Sequence, residues 1–135
     1  IPGSIKTSPA AIELVREQLN KLSEKCLITY LHLFRKTGPE AFLIFNEDCT
    51  TIKKRMISFE ENYKCGRLFD IDIMSLSNYH KQLSRKDLGY SKRKCLICSE
   101  NAITCIKSHK HSLEKLKEVV EELYENYQLS SRGNC

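Results

Sequence analysis

No apolar run in this sequence approaches the length of a membrane span, and no secretory signal is visible. A membrane helix is therefore not expected, and the reading is a reducing cytoplasm without a disulfide framework. The cysteine count agrees, because seven is an odd number and the residues are unevenly spread. Cys95, Cys98 and Cys105 cluster, whereas Cys26, Cys49, Cys65 and Cys135 are scattered. No internal repeat or low-complexity linker divides the chain. A basic stripe interleaved with aromatics is also missing, which weighs against a nucleic-acid partner. The chain does not open on methionine but on Ile1-Pro2-Gly3-Ser4-Ile5-Lys6, which suggests one domain over residues 1–135 lacking an upstream segment.

What is present is ordinary for a folded domain: 135 residues, 41% hydrophobic and 29% charged. The net charge is +5, with basic clusters at Lys92-Arg93-Lys94 and from Lys107 to His111. That balance favours an anionic partner, whether a phosphate-rich ligand, a nucleic acid or an acidic protein.

Local patterns predict an α+β fold, a mainly antiparallel sheet flanked by an N-terminal and a C-terminal helix. Ser8 and Pro9 start a helix that runs to about Glu24, with Ile12, Val15, Leu19 and Leu22 on one face. The Gly3–Lys6 turn that feeds it is a potential anion site, with Gly3 and Ser4 as backbone and Lys6 as charge. Leu27 to Phe34 and Ala41 to Phe45 form an antiparallel hairpin across the turn at Thr37-Gly38-Pro39-Glu40. Met56 to Glu60 reads as a further strand. After the strand that ends near Ser75, Ser77 to His80 turns and Gln82 to Arg85 pairs back. Ser112 caps a last helix striped by Leu113, Leu116, Val119, Val120, Leu123, Tyr124 and Tyr127.

The most informative stretch is Gly66-Arg67-Leu68-Phe69-Asp70-Ile71-Asp72-Ile73. Its alternation is that of a strand, which puts Asp70 and Asp72 on one face and Phe69, Ile71 and Ile73 on the other. Two carboxylates so close repel unless a cation or hydrogen-bond donors lie between them. Mg²⁺ suits that pair, since it binds through one or two carboxylates plus substrate phosphates. Gly66 allows backbone to approach a ligand closely. The competing reading is an edge strand whose aspartates face water.

Cys95-Leu96-Ile97-Cys98, followed by Cys105 and His111, supplies the vocabulary of a tetrahedral Zn²⁺ site. The intervals of two, six and five residues are not those of a common finger. The competing reading is a short helix from Cys98 to Lys107 that buries Cys105 as a small apolar side chain.

Several of these stretches, taken together, resemble one family. They are Pro2-Gly3-Ser4-Ile5-Lys6, Gly66 to Ile73, Leu83-Ser84-Arg85-Lys86-Asp87, Arg93-Lys94-Cys95-Leu96-Ile97-Cys98, and Ala102, Cys105 and His111. The sequence resembles citrate lyase holo-[acyl-carrier-protein] synthase, the apo-citrate lyase phosphoribosyl-dephospho-CoA transferase, over nearly its whole length and in order. Ser4 stands where the family usually has proline, and Lys107 where arginine is common. The family continues upstream of the Pro-Gly turn, and some members are fused to an enzyme that makes the donor.

The resemblance implies a transferase acting on 2′-(5″-triphosphoribosyl)-3′-dephospho-CoA. A serine of the citrate lyase acyl carrier protein, the gamma subunit, attacks the phosphate next to the ribose and diphosphate leaves. For such nucleotidyl-type transfer Asp70 and Asp72 would hold Mg²⁺, and Arg67 and Arg85 would fork onto phosphate oxygens, with Gly66 and Arg93 beside them. Asp87 is a third carboxylate or the base that takes the serine proton. Surface ion pairing is the competing role for Arg67, Arg85 and Asp87. The rival classes are a small zinc-containing nucleic-acid-binding module and a purely structural or protein-binding zinc domain.

Overall fold

The structure is a computed structural model that describes residues 26–32, 40–63 and 65–132. The predicted helix from Ser8, the turn at Gly3, Ser4 and Lys6, and the Thr37–Pro39 turn lie outside the described residues. The fold is α+β, built from small antiparallel sheets and three helices among the described residues. The chain falls into two compact units, Ile1–Glu47 and Asp48–Cys135.

In the first unit, β1 (Cys26–His32) pairs antiparallel with β2 (Glu40–Phe45), as the β-branched and aromatic runs predict. Ile28 faces Ile44 and Tyr30 faces Phe42 across the ladder, with an irregularity between Cys26 and Ile28. The Cys26 thiol lies 3.3 Å from the Ile44 carbonyl oxygen at that irregular end.

The second unit opens with α1 (Cys49–Asn62), where a strand was expected over Met56–Glu60. Asp48 caps this helix by accepting a hydrogen bond from the Thr51 amide at 2.9 Å. Ile52, Met56 and Phe59 recur at helical spacing and are buried with Ile57. The Met56–Glu60 run is therefore the buried face of a helix, and its β-branched residue does not outweigh that spacing. Phe59 packs edge-on against Phe69, with ring centroids 5.4 Å apart.

The predicted aspartate strand is also corrected. Gly66–Leu68 forms a 3₁₀ turn, and residues 69–73 have no strand partner among the described residues. The physical reason lies in where the backbone carbonyls go. Arg93 donates to the carbonyls of Arg67 and Phe69, and Lys53 Nζ donates to that of Ile71 at 3.1 Å. The Leu83 amide takes the Ile73 carbonyl at 3.0 Å. Side chains thus occupy positions a neighbouring strand would have used. Alternation of faces survives: Asp70 and Asp72 are exposed, while Phe69, Ile71 and Ile73 are half-buried.

A short hairpin follows, β3 (Met74–Ser75) with β4 (Asn78–Gln82), turning at Leu76-Ser77. The turn falls before the expected Ser77–His80, and the returning arm ends at Gln82 instead of starting there. Among the described residues the strands therefore form two separate two-stranded hairpins, with α1 between them in sequence. After a loop come α2 (Ala102–Lys107) and α3 (Leu113–Arg132). Asn101 caps α2 through the Ile103 amide at 2.9 Å. Ser112 accepts from the Lys115 amide at 3.2 Å, the cap expected of it. Val120 is the buried centre of the α3 stripe, Leu113 at its start stays exposed, and the Cys65 thiol lies 3.5 Å from the Leu123 carbonyl oxygen.

Candidate active site

The site is organised on the C-terminal end of α1. Glu60 is buried and Glu61 beside it is exposed. Arg85, at the start of the 3₁₀ turn Lys86–Leu88, spans both carboxylates at 2.6 Å each. Burial opposes its charge, but the bonds to Glu60 and Glu61 outweigh this and raise its pKa. Arg93 approaches the same Glu60 carboxylate through Nε at 3.8 Å. Its terminal nitrogens go to the Arg67 and Phe69 carbonyls and, at 3.3 Å, to Asp70. With most of its five donors engaged, Arg93 latches the 67–70 segment onto α1.

Arg67 differs from both. One terminal nitrogen donates to the Lys94 carbonyl, while its Nε is buried without a hydrogen-bond partner. Burial lowers its pKa, and the charges of Arg93 and Arg85 lower it further, against a partial offset from Glu60 and Glu61. A guanidinium beside two like charges can pair with an anion.

These side chains line a cleft of about 270 Å³, bounded by Glu61, Arg67, Arg85, Ser91, Lys92, Arg93 and Lys94. Five cations face one carboxylate there, a formal charge of +4. The volume suits a group the size of a few phosphates, and the forked guanidinium geometry matches phosphate oxygens.

The predicted aspartates sit beside the cleft rather than in its wall. The Asp70 side chain is 92% exposed and reaches the cleft only through its ion pair with Arg93. Asp72 is exposed and makes no side-chain hydrogen bond among the described residues. Two exposed carboxylates on alternate positions of an extended segment suit Mg²⁺, which keeps several waters and takes few protein ligands. Asp87 accepts from the Ser84 amide at 2.9 Å and from its hydroxyl at 2.7 Å. Those two bonds hold its carboxyl below the usual range. Gly66 does allow a close approach, but to α1: a Cβ there would collide with the Phe59 carbonyl oxygen.

A second cluster adjoins the cleft along the chain. Cys95, Cys98, Cys105 and His111 bring their ligand atoms within 4.8 Å of one another. Cys98 Sγ lies 3.6 Å from Cys105 Sγ and 3.4 Å from His111 Nε2. Burial and the neighbouring thiols push the Cys105 thiol up to about 12. For Cys95 burial acts the same way, but the Ile97 and Cys98 amides and the nearby thiols outweigh it and lower its pKa. None of the six described cysteines is in a disulfide.

Sequence reasoning missed Glu60, Glu61, Lys92 and Lys94 as parts of the site. Glu60 was hidden by reading its stretch as a strand; a Ser/Thr/Asp cap search at Asp48 would have exposed the helix.

Comparison with known proteins gives the family. The family description apo-citrate lyase phosphoribosyl-dephospho-CoA transferase matches residues 1–127. "Protein CitXG" of Leuconostoc mesenteroides subsp. cremoris is 37% identical over 96% of this chain, which spans 29% of that protein. A probable apo-citrate lyase phosphoribosyl-dephospho-CoA transferase of Streptococcus pyogenes serotype M18 is 34% identical over 94% of the chain and 69% of its own length. A protein of the same description from Vibrio cholerae serotype O1 is 30% identical, covering 94% of the chain and 74% of its own length. No helix of the described residues is long and apolar enough to cross a membrane. With its sequence matched from Ile1 to Tyr127, the chain belongs to the apo-citrate lyase phosphoribosyl-dephospho-CoA transferase family.

Proposed function

We propose that the chain transfers the prosthetic group of 2′-(5″-triphosphoribosyl)-3′-dephospho-CoA to a serine of the citrate lyase acyl carrier protein, releasing diphosphate. The family match over residues 1–127 carries this reading, and the cationic cleft supplies a physical means for it. The serine oxygen, giving up its proton to solvent, bonds to the phosphorus next to the ribose, the bond from that phosphorus to the diphosphate breaks with its electron pair leaving on the diphosphate, and a phosphodiester remains.

In this reading Arg67, Arg85, Lys92 and Lys94 hold the triphosphate. Their charge offsets what builds up on the leaving diphosphate. Arg93 does less for the substrate and more for the scaffold, because its donors fix the segment that carries Asp70 and Asp72. Those two carboxylates would hold Mg²⁺, which would supply positive charge to offset that of the phosphates. Asp87, with its pKa lowered by Ser84, is a weak acceptor for the serine proton; its part is to shape the turn that carries Arg85.

The test is incubation of the natural-length protein with the acyl carrier protein, the donor and Mg²⁺, followed by intact mass and peptide mapping. The expected result is one prosthetic group on one serine, with one diphosphate released per group. A carrier of unchanged mass beside folded enzyme would overturn the reading.

A further inference from the structure

We propose that Cys95, Cys98, Cys105 and His111 bind one Zn²⁺ ion, and that this ion is a structural clamp for the loop that carries Arg93 and Lys94. Four protein ligands of the Cys₃His type leave no open coordination position, which is the mark of a structural site rather than a catalytic one.

Two of the ligand separations match zinc, and all four ligand atoms lie within 4.8 Å of one another. Tetrahedral coordination with ordinary Zn–S and Zn–N bonds separates two sulfurs by about 3.8 Å and a sulfur from a nitrogen by about 3.6 Å. The corresponding separations are 3.6 Å for Cys98 to Cys105 and 3.4 Å for Cys98 to His111. Three unbridged thiols and an imidazole have no packing reason to converge on one point, since only Cys105 among them is fully buried. The Ile97 amide points at the Cys95 sulfur from 3.4 Å, an outer-shell donor of the kind that supports a thiolate ligand.

The backbone is bent to deliver each ligand. The Cys95 amide bonds the Glu100 carbonyl at 2.7 Å and the Ala102 amide bonds the Arg93 carbonyl at 2.9 Å, which closes the loop holding Cys95 and Cys98. Helix α2 presents Cys105 from its inner face. It ends in a complete Schellman turn: the Lys110 amide bonds the Cys105 carbonyl at 3.1 Å and the His109 amide bonds the Ile106 carbonyl at 3.3 Å. His109 takes the left-handed position of that turn, at φ 48°, where glycine is the usual residue. The tight reversal is what returns His111 to Cys98.

The clamp reaches the cleft through the chain itself. Cys95 follows Lys94 directly, and the Lys94 carbonyl is the acceptor of the Arg67 guanidinium. Locking the loop at Cys95 and Ala102 therefore fixes Arg93 and Lys94 against Arg67.

Metal analysis of natural-length protein purified under reducing conditions tests this without any activity measurement. The expected result is about one zinc per chain, falling to near zero in Cys98→Ser and staying near one in Cys49→Ser. Cobalt exchanged into the wild-type protein should show thiolate-to-metal charge transfer and the intense visible bands of a tetrahedral site. Removal of the ion with a chelator should lower Tm by about 10 °C or more and speed amide hydrogen exchange in residues 93–111. Where Cys98→Ser fails to fold, the cobalt spectrum of the wild-type protein decides. Folded wild-type protein with less than about a tenth of a zinc per chain and no cobalt charge-transfer band would overturn the proposal. Zinc retained in folded Cys98→Ser would overturn the ligand assignment. Neither result depends on transfer activity, so failure here is distinct from failure of the proposed reaction.

Discussion

Replacing Glu60 by glutamine separates what holds the cleft together from what the cleft binds. Glu60 is the buried counter-ion of the site, its side chain 6% exposed and 2.6 Å from Arg85, with Arg93 at 3.8 Å. Glutamine keeps the shape and one acceptor but removes the charge. Breaking a buried ion pair from one side costs about 3–5 kcal/mol, because the partner is left uncompensated. Arg85 keeps Glu61 at 2.6 Å, a carboxylate 48% exposed and so better screened, which places the loss near the lower end. About 3 kcal/mol corresponds to a Tm drop of roughly 10–15 °C for a chain of this size. The same change makes the cleft more positive, so it should bind diphosphate more tightly than the wild type does. Thermal melts across a diphosphate titration read both effects: a lower Tm without ligand, and in the variant a rise that begins at lower diphosphate and is larger at each concentration. A stability change below about 1 kcal/mol with an unaltered diphosphate response would refute the buried counter-ion role.

Three further outcomes follow from named contacts. Gly66→Ala should destabilise by about 1–3 kcal/mol or more in urea unfolding, because its Cβ would meet rigid α1 backbone at the Phe59 carbonyl; an unchanged midpoint would contradict that packing. Asp70→Asn and Asp72→Asn should each leave the melt unchanged and lower transfer per folded molecule roughly a hundredfold, partly recovered by added Mg²⁺. Near-normal turnover in both at low Mg²⁺ would exclude this segment from the chemistry. Asp87 has a depressed pKa in the folded state, so it contributes stability above its unfolded value, about 4, and that contribution fades as pH falls through the folded value. Ser84→Ala should therefore be less stable than wild type at neutral pH and converge with it in acid, and parallel pH curves would argue against the Ser84 bond.

The hairpin of β1 and β2 and the capped helix α3 were legible in the sequence because each is specified locally. Strand propensity with period-two pairing gives the first, and Ser112 with a 3.6-residue stripe gives the second. The stretch from Met56 to Ile73 was misread because its local cues are ambiguous. The five residues Met56–Glu60, three of them apolar, fit a strand or one helical turn equally well, and the register back to Ile52 resolves it. The alternation of Phe69 to Ile73 was read correctly as a division of faces, whereas the missing strand partner depends on Lys53 and Arg93, distant in sequence. The cysteine cluster was legible as a set of residue types, and its convergence depends on the turn at His109, where no glycine signals it. The Glu60 hub was invisible for the same reason as α1.

Arg67→Lys tests the role of the cleft most directly, because stability and function should part company there. Lysine keeps the positive charge and removes the buried Nε that has no partner, which offsets loss of the guanidinium bond to the Lys94 carbonyl, so the melt should change little. It cannot reproduce the guanidinium fork, so diphosphate affinity should fall and transfer to the acyl carrier protein should drop roughly a hundredfold per folded molecule. The decisive measurement is that transfer rate, read by intact mass on Arg67→Lys beside wild type at equal folded concentration. A large loss at unchanged Tm is the expected result. Equal rates with equal diphosphate affinity would contradict the assignment of this cleft to the phosphates of the donor.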